Sequence, residues 1–317
     1  MVAVRKRNLK MFTLALLFII TITSFLLNYT HNTVMVTWDP KQIVFQVSEQ
    51  FKKFIKYSRR PCNCNTCVSE PEVSLWFDER FNKTMQPFLT MQNYLVPDES
   101  LKWWLFLLGP QFQYKISIFL VELVAAGGRG WRNQPSPASA PSQMNRAPTA
   151  GFEMDVGSKT THHFVYPESY RELAENVSMI VIPFKILDLR WIISALSTVF
   201  SSFNSTYVPV PRKIKVNKDK ILVYNPVFIK YVYDNWLQHH GRYPSTGILS
   251  VIFALHICDE VDLYGFGADS KGNWHHYWEN NPSAGAFRHT GVHDGDFESN
   301  VTGTLASVDK IRFFKGR

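Results

Sequence analysis

Charge and apolarity are segregated at the start of the chain. Arg5, Lys6, Arg7 and Lys10 precede an uncharged run from Met11 to Leu27 rich in Leu, Ile and Phe. Such a run sits at the lower end of the about 17 to 25 residues that cross a bilayer, and a basic flank stays cytosolic. The pattern predicts a cytosolic tail over 1–10, a type II signal-anchor over 11–27 and a lumenal remainder. A cleaved signal peptide competes with this reading, but the run exceeds a usual h-region and no convincing small-x-small site follows it. Residues 28–60 mix polar and apolar positions without a strand pattern and carry Lys52, Lys53, Lys56, Arg59 and Arg60, as a stem would. From Pro61 the chain turns aromatic-rich, and Leu305, Val308, Ile311, Phe313 and Phe314 still have the spacing of packed positions, so 61–317 reads as one lumenal domain. In its second half, short apolar runs alternate with helical segments. Met179 to Pro183, Ile221 to Tyr224 and Val261 to Phe266 are predicted strands, and Pro226 to Leu237 and Gly247 to Ile257 predicted helices. That alternation predicts an α/β layer fold.

Composition narrows the function classes. With 45% hydrophobic and 19% charged residues over 317 positions, the chain can bury a core and is not a disordered polymer. The net charge of +8 is all N-terminal, because residues 61–317 hold equal numbers of acidic and basic side chains. A balanced body has no net pull on a phosphate backbone, which excludes nucleic acid as the main ligand. The sequons at Asn82, Asn176, Asn204 and Asn300 agree with a lumenal location. Cys62, Cys64, Cys67 and Cys258 would lie in an oxidising compartment, where disulfides are favoured over half a zinc site; the spacing does not choose among the possible pairings.

One stretch breaks the pattern. Across 106–143 an apolar run leads into Gly127-Gly128-Arg129-Gly130 and then a Pro/Ser/Ala linker. Ile116 to Val124 could be a strand entering a nucleotide-binding turn, but no helix follows to offer its N-terminus to phosphate. A surface insertion is the simpler reading.

Three segments near the C-terminus carry candidate chemistry. Gly241-Arg242-Tyr243-Pro244-Ser245-Thr246-Gly247 heads an apolar helix, where it can cap the helix or hold an anion. Trp274-His275-His276-Tyr277-Trp278-Glu279 sets imidazoles among aromatic rings, suiting a sugar and a phosphate or else a packed core. His293-Asp294-Gly295-Asp296-Phe297-Glu298 contains an Asp-x-Asp pair that could hold a metal. That signature usually ends a mid-domain strand, and His293 is the better candidate, as a general base titrating near lumenal pH.

In this order the segments resemble the animal sialyltransferases. Asn225 to Phe266 is similar to their small sialylmotif, Trp274 to Glu279 to motif III, and His293 with Glu298 to the His-x4-Glu motif. Ala147 to His163 is similar to the second half of the large sialylmotif. The resemblance is strongest to the branch acting on Gal-beta-1,3-GalNAc, and extends over 1–105 and 144–317. It implies a modified Rossmann-like, GT-A-like variant domain in the Golgi lumen, anchored in the Golgi membrane. It also implies inverting, metal-independent transfer of sialic acid from CMP-sialic acid to the galactose 3-hydroxyl of Gal-beta-1,3-GalNAc on glycoproteins and glycolipids, without a cofactor. By motif, His293 would be the base, and His276, Tyr207 and Tyr243 would contact the departing phosphate. Asn145, Thr246, Gly247 and Gly267 would hold ribose and cytosine.

The chain departs from this family between Leu105 and Met144. Expected there are an acceptor-binding Gln, where Leu108 stands, a Cys-x-x-Cys, a central strand and a Gly-Asn-Ser-Gly-Asn-like donor loop. The segment present is shorter and has none of these, as an exchanged or mispredicted exon would. It also lacks the cysteines expected to pair with Cys64 and Cys258. An inactive or unfolded variant, or a non-catalytic Golgi protein that binds a glycan or partner, are the alternative expectations.

Overall fold

A computed structural model describes residues 17–24, 67–90, 92–107, 141–196, 207–211, 214–267, 273–280 and 290–314. The chain forms two compact units, 1–59 and 60–317. In the first, residues 17–24 are an exposed helix. The hydroxyls of Thr21 and Thr23 donate back to carbonyls three and four residues earlier, which satisfies them within the helix. No helix among the described residues is long and apolar enough to cross a membrane. Most of the 11–27 run, the stem, Cys62, Cys64, the sequon asparagine Asn204 and the Ile116 to Gly130 stretch lie outside the described residues.

The second unit is α/β. Strands β1 (Ser142–Met144), β2 (His162–Val165), β3 (Ser178–Val181) and β4 (Ile221–Val223) form a parallel sheet in that order. β2, β3 and β4 are buried at every position, as expected of parallel strands covered on both faces. The helices among its described residues are α1 (Leu75–Asp78), α2 (Asp98–Phe106), α3 (Glu153–Val156), α4 (Ile186–Leu196), α5 (Pro226–Tyr231), α6 (Thr246–Ile257) and α7 (Gly295–Ser307). α6 is apolar almost all round and has eight buried residues, so it is a core helix rather than an amphipathic surface one. Ser245 starts it by accepting the Ile248 N–H at 3.2 Å. α5 begins where Asn225 caps Val227 and Pro226 presets the first turn, then runs on through a π turn, Val232–Trp236.

The strand expected over Val261 to Phe266 forms, but as a short piece with alternating exposure. β5 (Asp262–Tyr264) pairs in parallel with β6 (Arg312–Phe314) in a separate two-stranded sheet. Only Leu263 of β5 points inward, while Asp262 binds Arg312 at 2.5 Å and Tyr264 stacks on Phe314 at 4.5 Å. Among the described residues β1 has a strand neighbour on one side only, so the parallel strands form two sheets rather than one.

Aromatic residues dominate the core. Trp104, Trp191, Trp236, Tyr224, Phe77, Phe164, Phe228 and Phe253 are all buried. Each such side chain contributes about 1.5 to 3 kcal/mol relative to exposure. The Trp103-Trp104-Leu105 segment lies on α2, where the Trp104 indole donates to the Pro183 carbonyl at 2.7 Å. At the domain's start Cys67 is disulfide-bonded, whereas Cys258 is a free thiol whose pKa burial pushes up to about 11. Lys310 ties the two ends of the domain together, donating to the carbonyls of Val68 and Glu70 at 2.9 and 2.6 Å.

Candidate functional site

The ends of β1 and β5, the start of α6 and the loop before α7 surround a cavity of about 1400 Å³. His293, Asn145, Tyr243, Thr246, Gly247, Gly267 and His276, drawn from well-separated parts of the sequence, all lie on its wall. Tyr207 does not.

His293 is fixed by backbone geometry. Its Nδ1 lies 2.8 Å from the Tyr243 carbonyl oxygen, and a carbonyl can only accept, so Nδ1 carries the hydrogen. Nε2 is therefore the basic nitrogen of the neutral ring. Burial lowers the imidazole pKa, against the pull of the Tyr243 carbonyl. The 241–243 loop carries this carbonyl and is held to the His293 loop by an Arg242 N–H donating to the Val292 oxygen at 2.8 Å. Gly241 makes that approach possible. Its φ is +72°, and a Cβ there would lie 2.9 Å from the Asp294 nitrogen.

Glu298, one turn into α7, is buried and accepts from the Ser245 N–H at 2.8 Å and the Ser245 hydroxyl at 2.5 Å. Burial raises its pKa to about 7 despite these donors. Asp294 caps α7 by accepting the Phe297 N–H at 3.0 Å, and its other oxygen faces His240 Nδ1 at 3.0 Å. Its carboxylate is thus engaged in holding the loop, which accounts for half of the Asp-x-Asp pair; Asp296 is exposed in the first helical turn.

Elsewhere on the cavity lining, His276 stacks on Trp278 with ring centroids 4.2 Å apart, and its Nδ1 lies 3.0 Å from Glu279. The Tyr277 hydroxyl donates to the Pro148 carbonyl at 2.5 Å, anchoring this segment to the loop after β1. Asn145 immediately follows β1 in the left-handed region, with φ 52°, and its side-chain oxygen is buried without a hydrogen-bond partner among the described residues.

Tyr207 is held elsewhere. Its hydroxyl lies 2.5 Å from Asp188 and 2.7 Å from Glu168, and Lys185 sits 3.9 Å above its ring. One phenolic proton serves two carboxylates, and burial raises the Asp188 pKa to about 6, opposed by Tyr207 and Lys185. Asp188 and Glu168 themselves line the cavity. Neither was singled out from the sequence, although Asp188 is the only acidic residue between Ser178 and Leu196. A lone carboxylate in an apolar helix was the available signal.

Comparison with known proteins gives a consistent result. Residues 143–310 match the family model of glycosyltransferase family 29, the sialyltransferases. The chain is 63% identical over 345 aligned positions to the CMP-N-acetylneuraminate-beta-galactosamide-alpha-2,3-sialyltransferase 1 of Gallus gallus, and 56% identical over 347 to that of Homo sapiens, each covering 100% of both chains. With 317 residues against 345 positions, about 28 residues of the chicken protein have no counterpart here. A mammalian sialyltransferase crystal structure solved with Gal-beta-1-3GalNAc-ortho-nitrophenol is 55% identical, with a TM-score of 0.68 over 81% of this chain and 100% of that one.

Proposed function

The chain belongs to glycosyltransferase family 29, the sialyltransferases, and from that premise we propose that it transfers sialic acid from CMP-sialic acid to the galactose 3-hydroxyl of Gal-beta-1,3-GalNAc. The observation that carries this reading is the setting of His293: half-buried at the cavity wall, its pKa lowered by burial and its tautomer set by Tyr243. An imidazole so held can take the proton of a sugar hydroxyl as that oxygen attacks the anomeric carbon. Attack displaces CMP from the opposite face, inverting the centre. His276, also on the cavity lining, would donate toward the phosphate as it gains negative charge. The unpartnered Asn145 oxygen suits an amine or hydroxyl donor of the nucleoside, and the Thr246-Gly247 end of α6 supplies backbone N–H groups. Tyr207 reaches a phosphate only by leaving Asp188 and Glu168.

The proposal includes transfer without a divalent metal or cofactor, since Asp294 already serves the helix cap and His240. It also includes a modified Rossmann-like domain on the lumenal side of the Golgi membrane behind a type II anchor. What supports the anchor is the basic cluster before the 11–27 run, together with exposed sequon asparagines at 82, 176 and 300. The test is turnover of CMP-sialic acid on a Gal-beta-1,3-GalNAc acceptor by the full chain, with EDTA and then with manganese. Alpha-2,3 product that survives EDTA is expected; activity that appears only with manganese, or no product with any acceptor, overturns the reading.

A further inference from the structure

Resting on the reading of Asn145 as a donor-binding residue, we propose that His163 is the positioning residue that sets the Asn145 backbone and thereby aims its carboxamide into the cavity. β2 lies beside β1 in parallel register, with Gln143 opposite His163 and Met144 opposite Phe164. Asn145 is the first residue beyond β1, and two consecutive residues of β2 hold both of its backbone polar groups. Its N–H donates to the Phe164 carbonyl at 2.8 Å, and its carbonyl accepts from His163 Nε2 at 2.7 Å. Between these two bonds the backbone turns to φ 52°, a left-handed conformation that is costly for most L-residues and that Asn tolerates better than most. The turn ends the strand and directs the side chain toward the cavity, on whose wall Asn145 lies.

The imidazole is suited to this task alone. His163 is wholly buried, 0% exposed, and is absent from the cavity wall, so it meets no substrate directly. Nε2 must carry the hydrogen, because the Asn145 carbonyl can only accept. Nδ1 is buried with no hydrogen-bond partner among the described residues, so a second proton would have nowhere to donate. Burial lowers the pKa to about 4, the Asn145 carbonyl working against this and Arg171 adding to it. The ring is thus a permanent neutral donor across the physiological range. Without it, the Asn145 carbonyl is left unsatisfied and the left-handed turn loses one of its two ties, so the carboxamide swings from its aim.

The experiment measures CMP binding by calorimetry, and donor and acceptor KM, on the full chain in detergent for N145A, H163N and H163Q. Gln places its amide nitrogen where Nε2 stands, whereas Asn falls short of it. The expected outcome is that N145A and H163N each weaken CMP binding and raise donor KM roughly tenfold, with acceptor KM unchanged and kcat within about threefold. H163Q should return both toward the original values. If N145A leaves CMP binding intact, the assignment of Asn145 fails and the inference with it. If N145A weakens CMP binding but H163N and H163Q behave alike, the donor reading stands and the role of His163 is overturned. Melting temperatures of the two His163 variants guard against a loss of fold: equal melting with unequal CMP affinity is the signature of positioning.

Discussion

Glu298 reaches across from α7 to Ser245 and takes both donors of the residue that caps α6, its N–H at 2.8 Å and its hydroxyl at 2.5 Å. Two helices that meet at the cavity are thereby joined at their N-terminal ends through one buried carboxyl. The His-x4-Glu spacing gives the two side chains separate places: His293 sits before the helix on the cavity wall, where it is proposed as the base, and Glu298 inside its first turns holds Ser245.

This brace makes stability pH-dependent. The folded-state pKa of Glu298 is raised from the ordinary 4.5 to about 7, so between those values the native state keeps a proton that the unfolded chain releases. The contribution is fully present below the ordinary carboxylate pKa and is lost as pH rises toward and through 7. Melting temperature should fall over that window, and E298Q, which cannot ionise, should flatten the dependence. Removing the carboxyl in E298A should destabilise by about 1 to 3 kcal/mol, because a buried N–H and hydroxyl lose their partner. Thermal melts from pH 4.5 to 8 decide it; an unchanged slope in E298Q would show that Glu298 does not titrate in this range.

His293→Ala should lower transfer by roughly 10²- to 10⁴-fold, while CMP still binds. Because burial lowers the His293 pKa, the acid limb of the rate profile should lie below the ordinary imidazole value of 6.5. Gly241→Ala tests the same loop from beneath. The added carbon collides with the Asp294 nitrogen at 2.9 Å in a left-handed backbone, so the His293 loop must shift and kcat should drop more than donor KM rises. An alanine variant with normal kcat would separate the base from that loop contact.

The stretch between Leu107 and Pro141 should limit activity. About 28 residues of the chicken relative have no counterpart here, the family match begins only at Gln143, and among the described residues β1 lacks a strand neighbour on one side. Replacing residues 108–140 with the corresponding segment of that relative should raise turnover of CMP-sialic acid by at least tenfold, since a donor gripped at one end is poorly oriented. Comparable rates for the two chains would show that the present segment supplies a working half of the donor site.

The parallel strands Ser178–Val181 and Ile221–Val223 and the helix Thr246–Ile257 were legible in the sequence, because continuous apolar runs punctuated by Pro, Gly and hydroxyl residues report burial locally. So were most of the wall residues, through motifs whose spacing is local too. Tyr207 shows where that reasoning stops. A motif fixes the residue, but its partners, Asp188 and Glu168, lie 19 and 39 positions away in the chain. The split into two sheets, with Val261 to Phe266 contributing only Asp262–Tyr264 beside Arg312–Phe314, was likewise absent from any local pattern.

By itself the sequence determined the α/β alternation and the segments whose residues line the cavity. Only the tertiary structure decided that Tyr243 selects the tautomer of His293 from 50 positions away, that burial raises the Glu298 pKa and that His163 Nε2 meets the Asn145 carbonyl. The reason is physical. Propensity and apolar periodicity act between near neighbours, whereas a proton's position depends on which carbonyl or carboxylate the fold brings within 3 Å and how much water it removes.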